Sequence, residues 1–127
     1  MDTLELESFL SDLPMGGIKY FEIVDSTNRY ALEWAEKGAE DFSLVVANEQ
    51  TAGRGRMARK WLTTPGSSLA MSLILRPSIE EQKHIPLFSP LAGLAVAESL
   101  KNNYGLNPFI KWPNDILLDQ KKVCGIL

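Results

Sequence analysis

"IKYFEIVDSTNRYALEWAEKGAEDFSLVVANEQ", residues 18–50, decides the fold. "IKYFEIV" alternates and is rich in β-formers, so it reads as a strand. "DSTN" then offers several helix-capping oxygens. They precede "RYALEWAEKGA", where Tyr30, Leu32, Trp34 and Ala35 are interleaved with charge and predict a helix stopping near Gly38. "FSLVVANEQ" is a second strand, and it runs directly into a basic loop.

Outward from this unit, residues 2–12 predict a short amphipathic helix through Leu4, Leu6, Phe9 and Leu10, broken by "PMGG". Downstream, "SSLAMSLILRP" is a strand closed by Pro77. Residues 86–104 are apolar nearly all round, which predicts a helix buried against a sheet and ending at Gly105. "NPFIKWPNDILLDQKKVCGIL" supplies a strand, a Pro-Asn-Asp break and a hairpin through "LDQKK". The order implies a single α/β or α+β domain, residues 1–127, with a mixed, largely antiparallel sheet and helices on one face. The last residues, "VCGIL", are strand-like without a turn or polar tail. The chain is therefore expected to be the N-terminal portion of a longer domain, or to be completed by another chain.

Composition narrows the function classes. The 127 residues are 45% hydrophobic and 23% charged, as expected of one soluble globular domain. No run of 18 apolar residues is present, and the first 13 residues carry four acids and no base, so neither a membrane span nor a secretory signal is expected. A single cysteine, Cys124, excludes an internal disulfide and fits a cytoplasmic setting. With a net charge of −3, a general nucleic-acid binder is not expected.

Against that acidic background stands "AGRGRMARKW", residues 52–61, which holds Arg54, Arg56, Arg59 and Lys60, four of the chain's 13 Lys+Arg. Gly53 and Gly55 allow positive φ and close approach of backbone amides to a ligand. The forked guanidinium donors of Arg54 and Arg56 match carboxylate or phosphate oxygens in pairs. The loop is neither a Walker loop nor a dinucleotide fingerprint. It is either an anion nest or a solvated basic surface, and Trp61 either stacks on a heterocycle or covers a core edge.

Two further constellations stand out. In "KWPND", Lys111–Asp115, Pro113 projects Asn114 and Asp115 from a strand break. An amide beside a carboxylate can read an adenine edge and hold Mg²⁺, or can form an Asx turn. In "KKVCGIL", Lys122 enters a strand that contains Gly125, a place for close ligand approach or a plain hairpin. Cys124 reads as a small buried hydrophobe, and His84, the one histidine, supports neither a triad nor a metal cluster.

Taken together and in this order, "DSTN" (25–28), "EQTAGRGRMARKW" (49–61), "KWPNDILL" (111–118) and "KKVCGIL" (121–127) resemble the catalytic domain of biotin protein ligase, biotin–[acetyl-CoA-carboxylase] ligase. The resemblance runs from about residue 19 onward. It implies a mixed sheet with helices, related to class II aminoacyl-tRNA synthetases and lipoate ligases. It also implies a two-step reaction. Biotin and ATP, with Mg²⁺, give biotinyl-5′-AMP, and biotin then passes to a lysine of the biotin carboxyl carrier protein.

By the same resemblance, Ser26, Thr27, Asn28 and Gln50 meet the ureido ring. Gly53, Arg54, Gly55 and Arg56 wrap biotin and the phosphate, and Gly125 and Ile126 line the biotin tail. Arg56, Arg59, Trp61, Lys111, Asn114 and Asp115 serve the nucleotide, with Asp115 also a Mg²⁺ ligand. Lys122 and Arg54 are the catalytic cations, Lys122 bridging biotin's carboxylate and the α-phosphate. DNA binding is not implied, because no winged-helix segment precedes residue 19, whereas a homodimer is allowed for. The strands and small C-terminal domain that follow "GIL" in the family are absent here. The family loop commonly continues with Arg and Gly where this chain has Met57 and Ala58. The alternatives are a lipoate or octanoate ligase of the same fold and a non-catalytic biotin-binding fragment.

Overall fold

In the computed structural model, which describes residues 1–127, the chain divides into two compact units, Met1–Arg76 and Pro77–Leu127. The first begins with helix α1 (Thr3–Phe9), shorter than the expected 2–12. It is started by a reciprocal cap in which Asp2 Oδ1 accepts from Glu5 N and Glu5 Oε2 accepts from Asp2 N, both at 2.9 Å. Strand β1 (Gly17–Val24), helix α2 (Thr27–Glu36) and strand β2 (Ser43–Gln50) follow, then β3 (Ala70–Ile74).

β1 and β2 are parallel, from Gly17↔Ser43 to Val24↔Gln50, and α2 makes the crossover that such pairing needs. β3 runs antiparallel on the other side of β2, from Ser43↔Ile74 to Ala47↔Ala70. The central strand therefore has neighbours on both edges, and Ser43–Ala47 is buried throughout. Alternate side chains feed two clusters. Val45 packs with Ala31, Ala39 and Ile74 beneath Tyr30 and Trp34 of α2. Leu44 and Val46 pack with Ile18 beneath Leu6 of α1 and the Leu10 that follows it. Helices thus cover both faces of this sheet, where one face was expected. The reason is that a central strand with an apolar run on both faces, Leu44–Ala47, needs cover on each side.

The second unit holds helices α3 (Ile79–Gln82) and α4 (Phe88–Tyr104) and strands β4 (Phe109–Lys111), β5 (Asp115–Leu118) and β6 (Lys121–Gly125). The three strands form their own antiparallel sheet in the order β4-β5-β6. So the strands make two three-stranded sheets, one mixed and one antiparallel, instead of a single one. β4 turns into β5 through a cis Trp112–Pro113 bond, and β5 into β6 through Asp119 and Gln120, both at positive φ as a tight hairpin requires. No helix is long and apolar enough to cross a membrane.

α4 departs from its expected burial. It packs against β4 and β5, yet only Gly93 and Ala97 are buried, and Leu91 is 62% exposed. A three-stranded sheet covers one stripe of a helix, whatever the sequence offers on the others. Gly105 ends the helix at φ 66 with its N–H on Lys101 O.

Two alanine substitutions in α4 are expected to act in opposite directions. A Cβ at Gly105 would meet nothing within 4 Å, so Gly105→Ala costs only the left-handed backbone, about 1 kcal/mol. A Cβ at Gly93 would meet only Ile126 Cδ1, at an ordinary 3.5 Å, and Gly93→Ala should gain about 0.5–1 kcal/mol of helix propensity. Urea midpoints of the two variants check both signs.

Candidate active site

In the first unit, four of the expected residues converge where α2 starts and β2 ends. Ser26 is the N-cap of α2, with extended backbone and its Oγ accepting from Arg29 N at 3.4 Å. Thr27 is 3% exposed, and Asn28 lies exposed on the first turn. Gln50 Oε1 accepts from Thr27 N at 2.8 Å and from Thr27 Oγ1 at 3.0 Å. Ser72 of β3, which sequence reasoning did not single out, donates from Oγ to Thr27 Oγ1 at 2.9 Å. Thr63 holds the Gln50 backbone, its Oγ1 accepting from Gln50 N at 2.7 Å.

Beyond β2 the chain keeps this alignment, with Thr51 N on Val24 O and Ala52 N on Asp25 O. The basic loop then closes on itself. Trp61 N donates to Gly53 O, Gly55 N to Arg59 O, and Arg54 bridges Lys60. A short 3-10 turn occupies Arg56–Ala58, where no helix was expected.

The glycines serve differently from the sequence expectation. Neither Gly53 nor Gly55 has positive φ, and the left-handed positions are Met57 (φ 55) and Ala58 (φ 58). Gly53 is required by close approach, since a Cβ there would lie 2.6 Å from Trp61 O and 2.9 Å from Gln50 Nε2. The Gly55 amide is taken by Arg59 O, so it is not an open member of an anion nest in this conformation. Arg54, Arg56 and Arg59 are exposed and make no ion pair with any carboxylate, so their guanidinium groups remain available to an anion.

In the second unit the arrangement turns on one irregularity. β5 and β6 pair Asp115↔Gly125 and Ile116↔Cys124, but then Leu117↔Lys122, which leaves Val123 as an extra residue in β6. Side chains alternate across a strand, so a regular ladder would put Lys122 on the face of Ile116 and Cys124. The bulge moves it to the face of Asp115 instead, and Lys122 Nζ stands 2.8 Å from Asp115 Oδ1. Lys111 lies directly across β4 from Asp115 in the same sheet. Asn114 is committed to backbone, its Nδ2 donating to Ile126 O and its own O accepting from Ile126 N, both at 2.8 Å. That clamp fixes Gly125 and Ile126 beside the β4–β5 turn.

Mg²⁺ does not fit as a protein-held ion. No group of three His, Cys, Asp or Glu side chains comes together anywhere in the chain, and Asp115 already carries an ammonium. A divalent cation would have to enter with the nucleotide's phosphates. Cys124 is half-buried, and burial pushes its thiol above the ordinary value, which suits a packing residue and not a nucleophile.

Residues 20–127 match the family described as biotin/lipoate A/B protein ligase. Over 108 residues, 85% of the chain, it is 47% identical to the bifunctional ligase/repressor BirA of Bacillus subtilis strain 168, and covers 33% of that protein. It is 43% identical over 105 residues to the biotin–[acetyl-CoA-carboxylase] ligase of Paracoccus denitrificans, covering 42% of it. Among solved structures it is similar to the biotin protein ligase of Aquifex aeolicus in complex with biotin and ATP, with a TM-score of 0.77 and 34% identity over 87% of this chain and 45% of that one. The chain thus spans about a third to a half of the length of these relatives.

Two outcomes are expected. Ala58→Gly should relieve about 1 kcal/mol of left-handed strain, so the Gly55 and Trp61 amides should exchange with solvent roughly fivefold more slowly. Unchanged exchange would mean that the loop does not hold this conformation. In a double-mutant cycle of Asp115→Asn and Lys122→Met, the coupling should be about 0.5–1 kcal/mol, because the lysine is 43% exposed and water screens the pair. It should shrink toward zero at 1 M salt.

Proposed function

The chain belongs to the biotin/lipoate A/B protein ligase family, and from that premise we propose that it acts on biotin, activating it with ATP and passing it to a lysine of a biotin carboxyl carrier protein. In the first step a biotin carboxylate oxygen forms a bond to the α-phosphorus of ATP, and the bond to the β-phosphate bridging oxygen breaks, releasing pyrophosphate. In the second, the carrier lysine's neutral amine attacks the acyl carbon. AMP leaves with the C–O electron pair, and the amine loses a proton.

The first step brings two anions together, so cations aimed at the developing charge contribute most. That work is assigned to Arg54 and Arg56, whose guanidinium groups make no ion pair with a carboxylate, and to Lys122. Asp115 is the anchor that Lys122 leaves or keeps as the phosphate arrives. Arg59, Trp61 and Lys111 are assigned to the nucleotide. Asn114, whose amide holds Ile126, supports the site through the backbone.

One observation carries the choice of biotin over lipoate or octanoate. Gln50 has a carboxamide fixed through Oε1, which leaves Nε2 as the donor it can offer. A ureido ring can use that donor, whereas a dithiolane or an alkyl chain would leave it unmatched. The single reduced cysteine suits a cytoplasmic enzyme.

Biotin-dependent exchange of labelled pyrophosphate into ATP tests the activity. The 127-residue chain should catalyse it, and Lys122→Ala should lower the rate on the order of 100-fold while biotin affinity without ATP changes little. Exchange supported by lipoate or octanoate but not by biotin would overturn the substrate. Biotin binding without exchange would favour the non-catalytic alternative.

A further inference from the structure

The hydrogen bonds around Thr27 have only one consistent polarity. The Thr27 backbone N–H can only donate, and it lies 2.8 Å from the Gln50 side chain. The facing atom is therefore Oε1, since the flipped carboxamide would set two donors against each other. Oε1 can only accept, so the Thr27 hydroxyl must give its single proton to it across 3.0 Å. Thr27 Oγ1 then has lone pairs alone to offer, and the remaining partner, Ser72 Oγ at 2.9 Å, must donate. The relay runs Ser72 to Thr27 to Gln50, and its last member turns Nε2 away from Thr27 toward Gly53. There a Cβ on residue 53 would stand 2.9 Å from it, so glycine at 53 is what lets the amide take this orientation.

Resting on the biotin reading, we infer that Ser72 is a positioning residue for substrate recognition. Its hydroxyl keeps the Thr27 hydroxyl proton on Gln50 Oε1 and so reinforces the orientation that the Thr27 N–H gives the carboxamide, in which Nε2 is the donor left for a ring that presents an acceptor. Thr27 is almost fully buried, so without Ser72 its oxygen loses a partner that water cannot readily replace. The Thr27 hydroxyl is then free to rotate off Gln50 Oε1, and the Gln50 amide is held by the Thr27 N–H alone. Nothing in "SSLAMSLILRP" marks Ser72 among its neighbours. Its place follows from the register, which sets it opposite Val45 on the α2 side of the sheet.

Two measurements on the full 127-residue chain separate this inference from the reading beneath it. The first uses no ligand. In ¹⁵N-labelled chain, Ser72→Ala should move the two Gln50 side-chain amide protons and speed exchange of the Thr27 amide by roughly tenfold. Ser72→Thr, which keeps the hydroxyl, should restore both. If Ser72→Ala leaves these signals in place with the rest of the spectrum intact, the relay is wrong whatever the chain binds. The second is calorimetry with biotin and with 2-iminobiotin, whose ring carries a guanidinium in place of the carbonyl at neutral pH. Ser72→Ala should weaken biotin roughly tenfold, with recovery in Ser72→Thr. Gln50→Glu keeps the acceptor toward Thr27 but offers the ligand a carboxylate, so it should reverse the preference in favour of 2-iminobiotin. A preference for biotin that survives Gln50→Glu overturns the donor assignment. If the parent chain binds neither ring while the spectra behave as expected, the relay stands and the biotin reading falls.

Discussion

One backbone N–H orders the first unit's candidate site. Thr27 is the first residue of α2, and its amide is one of the donors that a helix start leaves without an internal partner. It finds Gln50 Oε1, at the end of the strand paired in parallel with the one leading into that helix. This bond ties the turn after β1 to the turn after β2. It sets the direction of the Gln50 amide and, through Gly53, the path of the basic loop. Parallel pairing makes the arrangement possible, since it brings the C-terminal ends of β1 and β2 to the same edge, where ligands commonly sit in α/β folds.

The second unit relies on a different constraint. Its hairpin would be unremarkable with a regular ladder, and Lys122 would then share a face with Cys124 and the buried Ile116. A single additional residue at Val123 reverses that. The cost is a break in pairing, and the result is an ammonium held 2.8 Å from Asp115 on the face that also carries Gly125. Asn114 completes the unit by clamping Ile126. These features give a partly exposed lysine a defined position beside a carboxylate.

Much of this was legible in the sequence. The βαβ order, the cap at Ser26 and the stop at Gly105 follow from local chemistry acting over a few residues. Composition pointed to the basic loop, and the resemblance to biotin protein ligase to Gln50 and Lys122. The division of labour between glycines was not legible, because whether a glycine serves positive φ or close approach depends on what lies across the loop. Here Trp61 O and Gln50 Nε2 decide it for Gly53. Ser72 escaped notice for the same reason, as its partner is 45 residues away in sequence. The bulge could not be read from "KKVCGIL", where the one glycine, Gly125, stands in the regular part of the ladder and the extra residue is Val123. The burial of α4 was overestimated because its composition was read without the width of the sheet beneath it.

The central claim is that the Thr27–Gln50 pair reads the ring of biotin. Titration of ¹⁵N-labelled chain with biotin tests it directly. The Thr27 backbone amide and the Gln50 side-chain amide should shift together along one saturable curve, with the largest changes outside the loop 52–61. Resonances of both groups that stay fixed while others respond to biotin would place the ring elsewhere and contradict the account.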